Sequence, residues 1–455
     1  MDSSKILFIV FSIVLFLLVP FFLKNVRRYY LGLACFIHVF TSGWIFYHLT
    51  GLMLADLPIL ALLVYGLFSS RRLKFFFMPI ALPMLGMIVL GTLSATWAKE
   101  PGWALAEVSK YVRMYLLVVC LVNNIQSVRD LRLVLTCMMS SLLVEALVGI
   151  YQWQFGAVGL WFLGERPSAR MDWRCMGTFY VPSFYASYLA MWLCVAFRMF
   201  VYYRPPKILS TLLYGAAGVL GFVALYTTYS RSQWLSLLAA MGIIVLFSLF
   251  RSRYKIKSGW VVPLLLLFFG VFTFRYHTQV LNQFGSARQV SYESRFPQYK
   301  IAERIILKRP LQGVGIGNYE LDVQDYMTEE ERSSILMIVF IGMVHNSYLL
   351  LTAELGFPGG LMLLLWFVTI LIVVVQILRS RLNHPLIINL TLGILGGIIA
   401  IMIILMYSPD IHEYSLLYQI SLFCGILLAE RNILKQAAVS QPRNPQAENE
   451  VKAGS

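Results

Sequence analysis

Charged residues are scarce in this chain. Asp, Glu, Lys and Arg make up 13% of its 455 residues and hydrophobic residues make up 59%, whereas an ordinary soluble domain is about 25% charged. The apolar residues form runs of about 17 to 24 residues, the length that a helix needs to cross a membrane. Because lipid cannot satisfy backbone hydrogen bonds, these runs predict an all-α polytopic membrane protein.

Cysteines are also few, and the predicted outer loops lack metal-binding patterns. The six cysteines are dispersed and only Cys175 falls in such a loop, which excludes a disulfide framework and a paired-cysteine metal site. The loops also lack the Asp-x-Asp pattern of metal-held nucleotide sugars, and His, Asp or Glu at metal-ligand spacing. We therefore expect no metal and no other cofactor.

Acidic residues are outnumbered by basic ones, 22 to 37, which gives a net charge of +15. The basic residues crowd into short loops, a pattern that marks the cytoplasmic side of a membrane. We find no basic stripe with interleaved aromatic residues, so nucleic-acid binding is not expected. From residue 71 onward these basic loops alternate with other loops. The predicted outer loops are 98–108, 155–180, 276–346 and 409–413.

The sequence predicts about 12 transmembrane helices in a single transmembrane domain at residues 1–430. The count is 12 or 13, because Lys24, Arg27 and Arg28 favour three early spans and the short segment 30–48 favours two. The first apolar run lacks a small-residue cleavage site, so we expect a retained anchor. Residues 436–455 predict a disordered cytoplasmic tail. The candidate spans are 5–23, 30–48, 52–70, 75–97, 109–125, 131–154, 181–201, 208–229, 232–250, 259–275, 347–376, 386–408 and 414–430.

The outer loop 276–346 is too long for a simple connector, and its charge is divided. Its first part is basic from Arg288 to Arg309, and the stretch from Glu320 to Glu331 holds six acids and no base. The stretch 292–310 has apolar residues at helical spacing, Ile301, Ile305 and Ile306, and predicts an amphipathic helix. We interpret the loop as a functional cap.

Arg231 is the strongest single candidate for a ligand-binding residue. It interrupts an apolar stretch from Leu212 to Phe250 that carries hardly any other charge, and an arginine at such depth usually marks a ligand or a specific partner. Its guanidinium can bind a phosphate in a planar fork. The alternative is an arginine that ends a helical hairpin and reaches the lipid headgroups.

Further candidates follow in and after the large loop. Arg295, Lys300 and Arg304 form either the second half of an anion site or a solvated helix face. Glu354 lies nine residues into an apolar span and is expected to be paired or functional. The glycines of "GVGIGN" do not fit a dinucleotide fingerprint and indicate a close backbone approach.

His345 precedes a polar cluster at the start of an apolar span. A neutral imidazole there can accept a proton from an attacking hydroxyl near pH 7. The alternative is an interfacial histidine at a helix cap, because Asn346 and Ser347 are themselves good capping residues. The outer turn with Asp410, His412 and Glu413 is a weaker candidate for the same cavity.

The order and spacing of these motifs resemble the O-antigen ligase and polymerase superfamily of bacterial inner-membrane glycosyltransferases. The resemblance is clearest over residues 214–357. The motifs that carry it are "YSRSQW" around Arg231, the "SR" that ends at Arg295, "KRPLQGVGIGN" and "HNSYLLLTAELGFPG", with weaker similarity in "LSATWA" and "MGTFYVPSFYASYLA". In the last motif Ser183 stands where the family often has Asn.

The resemblance implies a fold of about twelve helices with a long, partly helical periplasmic loop over a cavity. It implies transfer of O-antigen from undecaprenyl diphosphate to a sugar hydroxyl of lipid A–core at the periplasmic face, without a metal and with inversion. Arg231 and Arg295 would bind the donor diphosphate together with Arg304, and His345 would activate the acceptor. The supporting residues would be Asn346, Ser347, Tyr348 and Glu354.

Other functions stay open at this point. A polymerase of O-antigen or exopolysaccharide and a protein O-oligosaccharyltransferase belong to the same superfamily and share these motifs. A transporter of lipid-linked glycan is a further alternative, although no internal repeat is visible in the sequence.

Overall fold

The computed structural model describes residues 25–37, 56–68, 73–155, 174–179, 181–203, 205–250, 295–333, 342–380, 382 and 384–440. These residues are mainly helical and contain no strand, which confirms the all-α prediction. The described helices are α1 (Val26–Ile37), α2 (Asp56–Phe68), α3 (Ala81–Ser94), α4 (Pro101–Asn124), α5 (Val128–Phe155), α6 (Pro182–Arg198), α7 (Ile208–Thr227), α8 (Arg231–Phe250), α9 (Arg295–Lys308), α10 (Tyr319–Asp322), α11 (Glu329–Ser333), α12 (Ser347–Leu378), α13 (Pro385–Ile404) and α14 (Tyr414–Ser440).

Seven of the described helices are long and apolar enough to cross a membrane. They are α5, α6 with the π-helical turn Met199–Tyr203 that follows it, α7, α8, α12, α13 and α14. The predicted spans 5–23 and 259–275 lie outside the described residues, so the total of 12 or 13 stays a prediction. The apolar helices α2 and α3 are shorter than these seven.

The boundaries of two helices differ from the sequence-based expectation. Helix α4 begins at Pro101, inside the predicted outer loop 98–108, because a proline in the first turn suits a helix start. Glu107, Lys110 and Arg113 therefore lie within the helix, and each has an ionic partner. Helix α14 continues through residues 436–440, which the sequence assigned to the disordered tail.

The most enclosed helix of the bundle is α6. Nearly all of its side chains are buried, and it packs against α7, α8 and α13. Trp192 on α6 donates a hydrogen bond from Nε1 to Oε1 of Gln419 on α14 at 2.8 Å. Helix α4 packs on α14, and α12 packs on α3 and α9. The amphipathic helix predicted in the large loop is α9, with Ile301 and Ile305 fully buried.

Helix α12 is broken near its start, at Gly356. This residue has φ 69° and ψ −173°, and Pro358 behind it cannot donate a backbone hydrogen bond. The carbonyls of Ala353 and Glu354 instead accept hydrogen bonds from the backbone N–H groups of Val314 at 3.0 Å and Gly315 at 2.8 Å. The segment 310–317 therefore replaces the missing turn of the helix.

Three glycines let this segment approach so closely. Gly313, Gly315 and Gly317 have φ values of 64°, 100° and 70°, which side-chain-bearing residues rarely adopt. A Cβ atom on Gly313 would lie 2.3 Å from the carbonyl carbon of Glu354. The structure thus confirms the close backbone approach predicted from "GVGIGN".

We expect Gly313→Ala to destabilise the protein strongly, because it adds both a clash with backbone and a strained φ, about 1–3 kcal/mol for the strain alone. The thermal unfolding midpoint of detergent-purified protein measures this. Gly102→Ala is the matched control, since a Cβ there meets nothing within 4 Å. Equal midpoints for the two variants would contradict the proposed tight docking.

Candidate active site at a cationic cavity

The predicted residues Arg231, Arg295 and His345 line one cavity of about 770 Å³. This volume is typical of a small-molecule or cofactor site. The described part of its wall comes from the segments before α6 and α12, the start of α6, the α7–α8 turn, the first half of α8, the start of α9, and the end of α13 with the segment after it. None of the described lining residues is acidic.

Arg231 is the first residue of α8, at the tight turn after α7. The turn contains Tyr229 with φ 52°, and Ser230 donates its backbone N–H to Oγ1 of Thr228 at 3.2 Å. The positive end of the α8 dipole therefore lies at the cavity wall beside the guanidinium. This favours an anion at the position where the sequence predicted a phosphate ligand.

Arg174 also lines the cavity, although the sequence gave it no role. Its Nε donates to the carbonyl of Thr228 at 2.7 Å and its Nη2 donates to Oγ of Ser230 at 2.9 Å, so it is fixed to the α7–α8 turn. Burial lowers the pKa of Arg174, and the neighbouring charge of Arg231 lowers it further. Two guanidiniums this close repel each other, and a bound anion would relieve that repulsion.

His345 lies just before Asn346, the N-cap residue of α12. Hydrogen bonds to the neighbouring backbone fix its position. Asn346 caps the helix, because its Oδ1 accepts from the backbone N–H of Tyr348 at 3.0 Å and of Leu349 at 3.1 Å. The carbonyl of His345 accepts a hydrogen bond from Tyr299 of α9 at 3.2 Å. The capping prediction is confirmed for Asn346, while the imidazole of His345 itself reaches the cavity.

The electrostatic surroundings keep this imidazole neutral. Burial lowers the pKa of His345 below its ordinary value, and the charge of Arg295 lowers it further. The backbone carbonyl of Met343 opposes this shift with a smaller effect. A neutral imidazole is the form that can accept a proton.

Ser347 and Tyr348, two of the predicted supporting residues, do not line the cavity but form hydrogen bonds with residues next to its wall. Ser347 donates from Oγ to the carbonyl of Ser408 at 2.6 Å and accepts from the backbone N–H of Ile411 at 3.2 Å. Tyr348 donates from its hydroxyl to the carbonyl of Met402 at 3.0 Å. Both residues tie the start of α12 to the end of α13, next to Ser408 in the cavity wall.

Arg304 does not reach the cavity with the other arginines. It forms a two-point ion pair with Glu331, one contact of which is 2.8 Å, and its Nη1 also donates to the carbonyl of Tyr326 at 2.5 Å. The basic half of the large loop thus pairs with its acidic half at this position. This pairing argues against the predicted contact between Arg304 and the donor, and it fixes α9, which carries Arg295.

Glu354 is paired rather than exposed to the cavity. Its Oε2 lies 2.8 Å from Nε2 of His412, and Oε2 of Glu107 lies 3.0 Å from Nδ1 of the same ring. Lys110 contacts Glu107 and donates to the carbonyl of His412 at 3.0 Å. Burial alone would lower the pKa of His412, but the two carboxylates raise it to about 10, so this imidazole is charged at neutral pH.

Residues 410–413 therefore support the cavity wall, and Pro409 before them lines it. Asp410, His412 and Glu413 are not among the described lining residues, contrary to the weaker expectation that they line it. Asp410 accepts from Oγ of Ser187 at 2.7 Å, and burial raises its pKa to about 7.

The O-antigen ligase family model matches residues 216–364, a range that includes Arg231, Arg295 and His345. The chain therefore contains a domain of the O-antigen ligase superfamily at residues 216–364. Members of this superfamily are ligases or polymerases of glycosyltransferase type. No curated protein matches the chain. Arg174 and the α13 wall lie outside the matched range, so only the structure connects them to the superfamily motifs.

We expect a pH-dependent contribution of His412 to the stability of the protein. A pKa raised from 6.5 to about 10 contributes stability fully below pH 6.5, and the contribution is lost as pH rises toward 10. His412→Gln leaves the buried carboxylate of Glu354 without its cation, while Glu107 keeps Lys110, and an unpaired buried charge costs on the order of 3 kcal/mol. The thermal unfolding midpoint of this variant should lie well below wild type near pH 6.5, and the difference should shrink toward pH 10. Parallel curves would exclude the charged imidazole.

Proposed function

We propose that the protein is an inner-membrane O-antigen ligase that transfers glycan from undecaprenyl diphosphate to a sugar hydroxyl of lipid A–core at the periplasmic face. The observation that carries this proposal is the single cavity shared by Arg231, Arg295 and His345. Two cations and a neutral base, drawn from distant parts of the chain, meet in a volume suited to the reacting groups.

The arginines are proposed to bind the donor diphosphate. Guanidiniums form charge-assisted, two-point hydrogen bonds with phosphate oxygens, and they hold these oxygens in a fixed orientation. As the glycan leaves, negative charge develops on the diphosphate, and preorganised cations stabilise that charge most in the transition state. Arg174 adds a third guanidinium at the same wall. These cations fill the role that a metal ion has in other sugar transferases.

His345 is proposed to activate the acceptor. The acceptor hydroxyl oxygen attacks the anomeric carbon and gives its proton to the imidazole. The bond from that carbon to the phosphate oxygen breaks, and its electron pair leaves with undecaprenyl diphosphate. Attack opposite to the leaving group inverts the anomeric configuration. The neutral state of His345 and its place beside Arg295 support this role.

The test of function uses purified protein with an undecaprenyl-diphosphate-linked glycan and lipid A–core. We expect glycosylated lipid A–core on a gel, and His345→Ala should lower kcat by about 10²–10⁴-fold, the usual contribution of a general base, with donor affinity kept. Arg231→Lys should weaken donor binding, because lysine lacks the two-point fork. Arg309→Ala is the control, since Arg309 is exposed and is not among the described lining residues.

The same assay separates the alternatives. A polymerase would lengthen lipid-linked glycan without lipid A–core, and a protein O-oligosaccharyltransferase would need a Ser- or Thr-bearing protein. A transporter would make no product in detergent. Wild-type turnover by His345→Ala would exclude the proposed base.

A separate prediction concerns Arg174. Arg174→Gln should raise the KM for the donor about 10-fold or more, since a hydrogen bond to a charged group is worth about 1.5–3 kcal/mol. Ser230→Ala is the matched variant, because it removes one hydrogen bond of Arg174 and leaves the charge in place. An equal rise in both variants would show that Arg174 acts only by holding the turn.

A further inference from the structure

Gln298 contacts the imidazole of His345 from the buried side. It lies on α9, three residues after Arg295 and therefore about one helical turn further along. Only 4% of Gln298 is exposed. Its Oε1 lies 3.3 Å from the backbone nitrogen of His345 and 3.2 Å from Nδ1 of the ring.

The ring of His345 faces two acceptors, the backbone carbonyl of Met343 and the side chain of Gln298, and the contacts of Gln298 bear on the proton at Nδ1. A backbone N–H can only donate, so the side-chain atom of Gln298 that faces it must be the carbonyl oxygen. That oxygen has no proton to give, so the hydrogen bond with Nδ1 requires a proton on Nδ1. In a neutral imidazole only one nitrogen is protonated, and Nε2 is therefore the atom with the free electron pair.

We infer that Gln298 is a positioning residue, which holds His345 in the tautomer protonated on Nδ1 and thereby makes Nε2 the atom that takes the proton of the acceptor hydroxyl. This inference rests on the function proposed above. Gln298 itself touches no reacting atom in this scheme. It acts through His345, and α9 links its position to that of Arg295.

An amide suits this position better than a carboxylate. A glutamate would also accept the proton of Nδ1, but it would bring a negative charge beside Arg295, one helical turn away. It would then compete with the donor diphosphate for that guanidinium. A neutral oxygen orients the base and leaves the positive charge of the cavity intact. A neutral acceptor at position 298 orients His345 and also leaves Arg295 available to bind an anion, whereas a charged acceptor would not do both.

The test compares Gln298→Met, which keeps the shape and removes the acceptor, with Gln298→Glu, which keeps an acceptor and adds charge. We expect Gln298→Met to lower kcat about 10- to 100-fold, as for other residues that orient a catalytic group, with the KM for the donor unchanged. Gln298→Glu should retain most of kcat and raise the KM for the donor. Gln324→Met is the control, because Gln324 is exposed and is not among the described lining residues.

A second measurement determines the tautomer of His345 by NMR and does not depend on enzymatic activity. In protein labelled with ¹⁵N-histidine, the signals of His345 are identified among the six histidines by their loss in His345→Gln. Wild type and Gln298→Glu should show protonated Nδ1 and bare Nε2, whereas Gln298→Met should lose this preference. An unchanged tautomer together with unchanged kcat in Gln298→Met would overturn the inference.

The two proposals fail in different ways. If His345→Ala retains full transfer, the proposed function is wrong, while the tautomer signal still tests the contact with Gln298. If transfer depends on His345 but Gln298→Met keeps both kcat and the tautomer, only the role of Gln298 is wrong. Should Gln298→Met not fold, loss of the wild-type tautomer in folded Gln298→Glu would also overturn the inference.

Discussion

The break in α12 is the constraint on which the rest of the site depends. At Gly356 the helix leaves its path, and the carbonyls of Ala353 and Glu354 are satisfied by the backbone of the segment 310–317. An unsatisfied carbonyl inside a membrane domain costs several kcal/mol, so the segment and the helix cannot separate cheaply. The segment 310–317, and α9 before it, are in this way attached to the start of α12.

This attachment explains how residues so distant in sequence share one cavity. His345 lies two residues before the start of α12, and Arg295 begins α9, which packs on α12. The buried imidazolium of His412 fixes the other side of α12, because it pairs with Glu354 there and with Glu107 on α4. The cavity wall is therefore built on rigid helix ends that are joined by ion pairs and backbone hydrogen bonds, as preorganised catalysis requires.

The parts that the sequence predicted are those with a local cause. The apolar runs, the cap at Asn346, the glycine approach and the arginine in the α7–α8 turn all follow from residues close in the chain. Ion-pair partners that are far apart in the chain could not be predicted from the sequence. Glu354 was expected to be paired, but its partner His412 lies on another segment, and Glu331 neutralises an arginine that the sequence assigned to the donor.

Arg174 is a cavity residue that the sequence did not predict, because its contacts are also distant in the chain. It stands in a loop without periodicity, and nothing near it in sequence marks a site. Its position depends on the carbonyl of Thr228 and the hydroxyl of Ser230, which belong to the turn that presents Arg231. Its one visible signal was a basic residue in an outer loop just before an apolar helix. That signal is too common to be interpreted without the turn that it contacts.

The proposed roles of the cavity residues are coupled by electrostatics. Burial lowers the pKa of His345 and the charge of Arg295 lowers it further, which makes the imidazole a weaker base. A bound diphosphate would neutralise that charge, and the pKa of His345 would then rise, because a cation nearby disfavours imidazolium and an anion favours it. The base would thus become stronger when the donor is present. Since proton transfer matters only once a glycan is ready to leave, one arginine would both bind the donor and couple its arrival to acceptor activation.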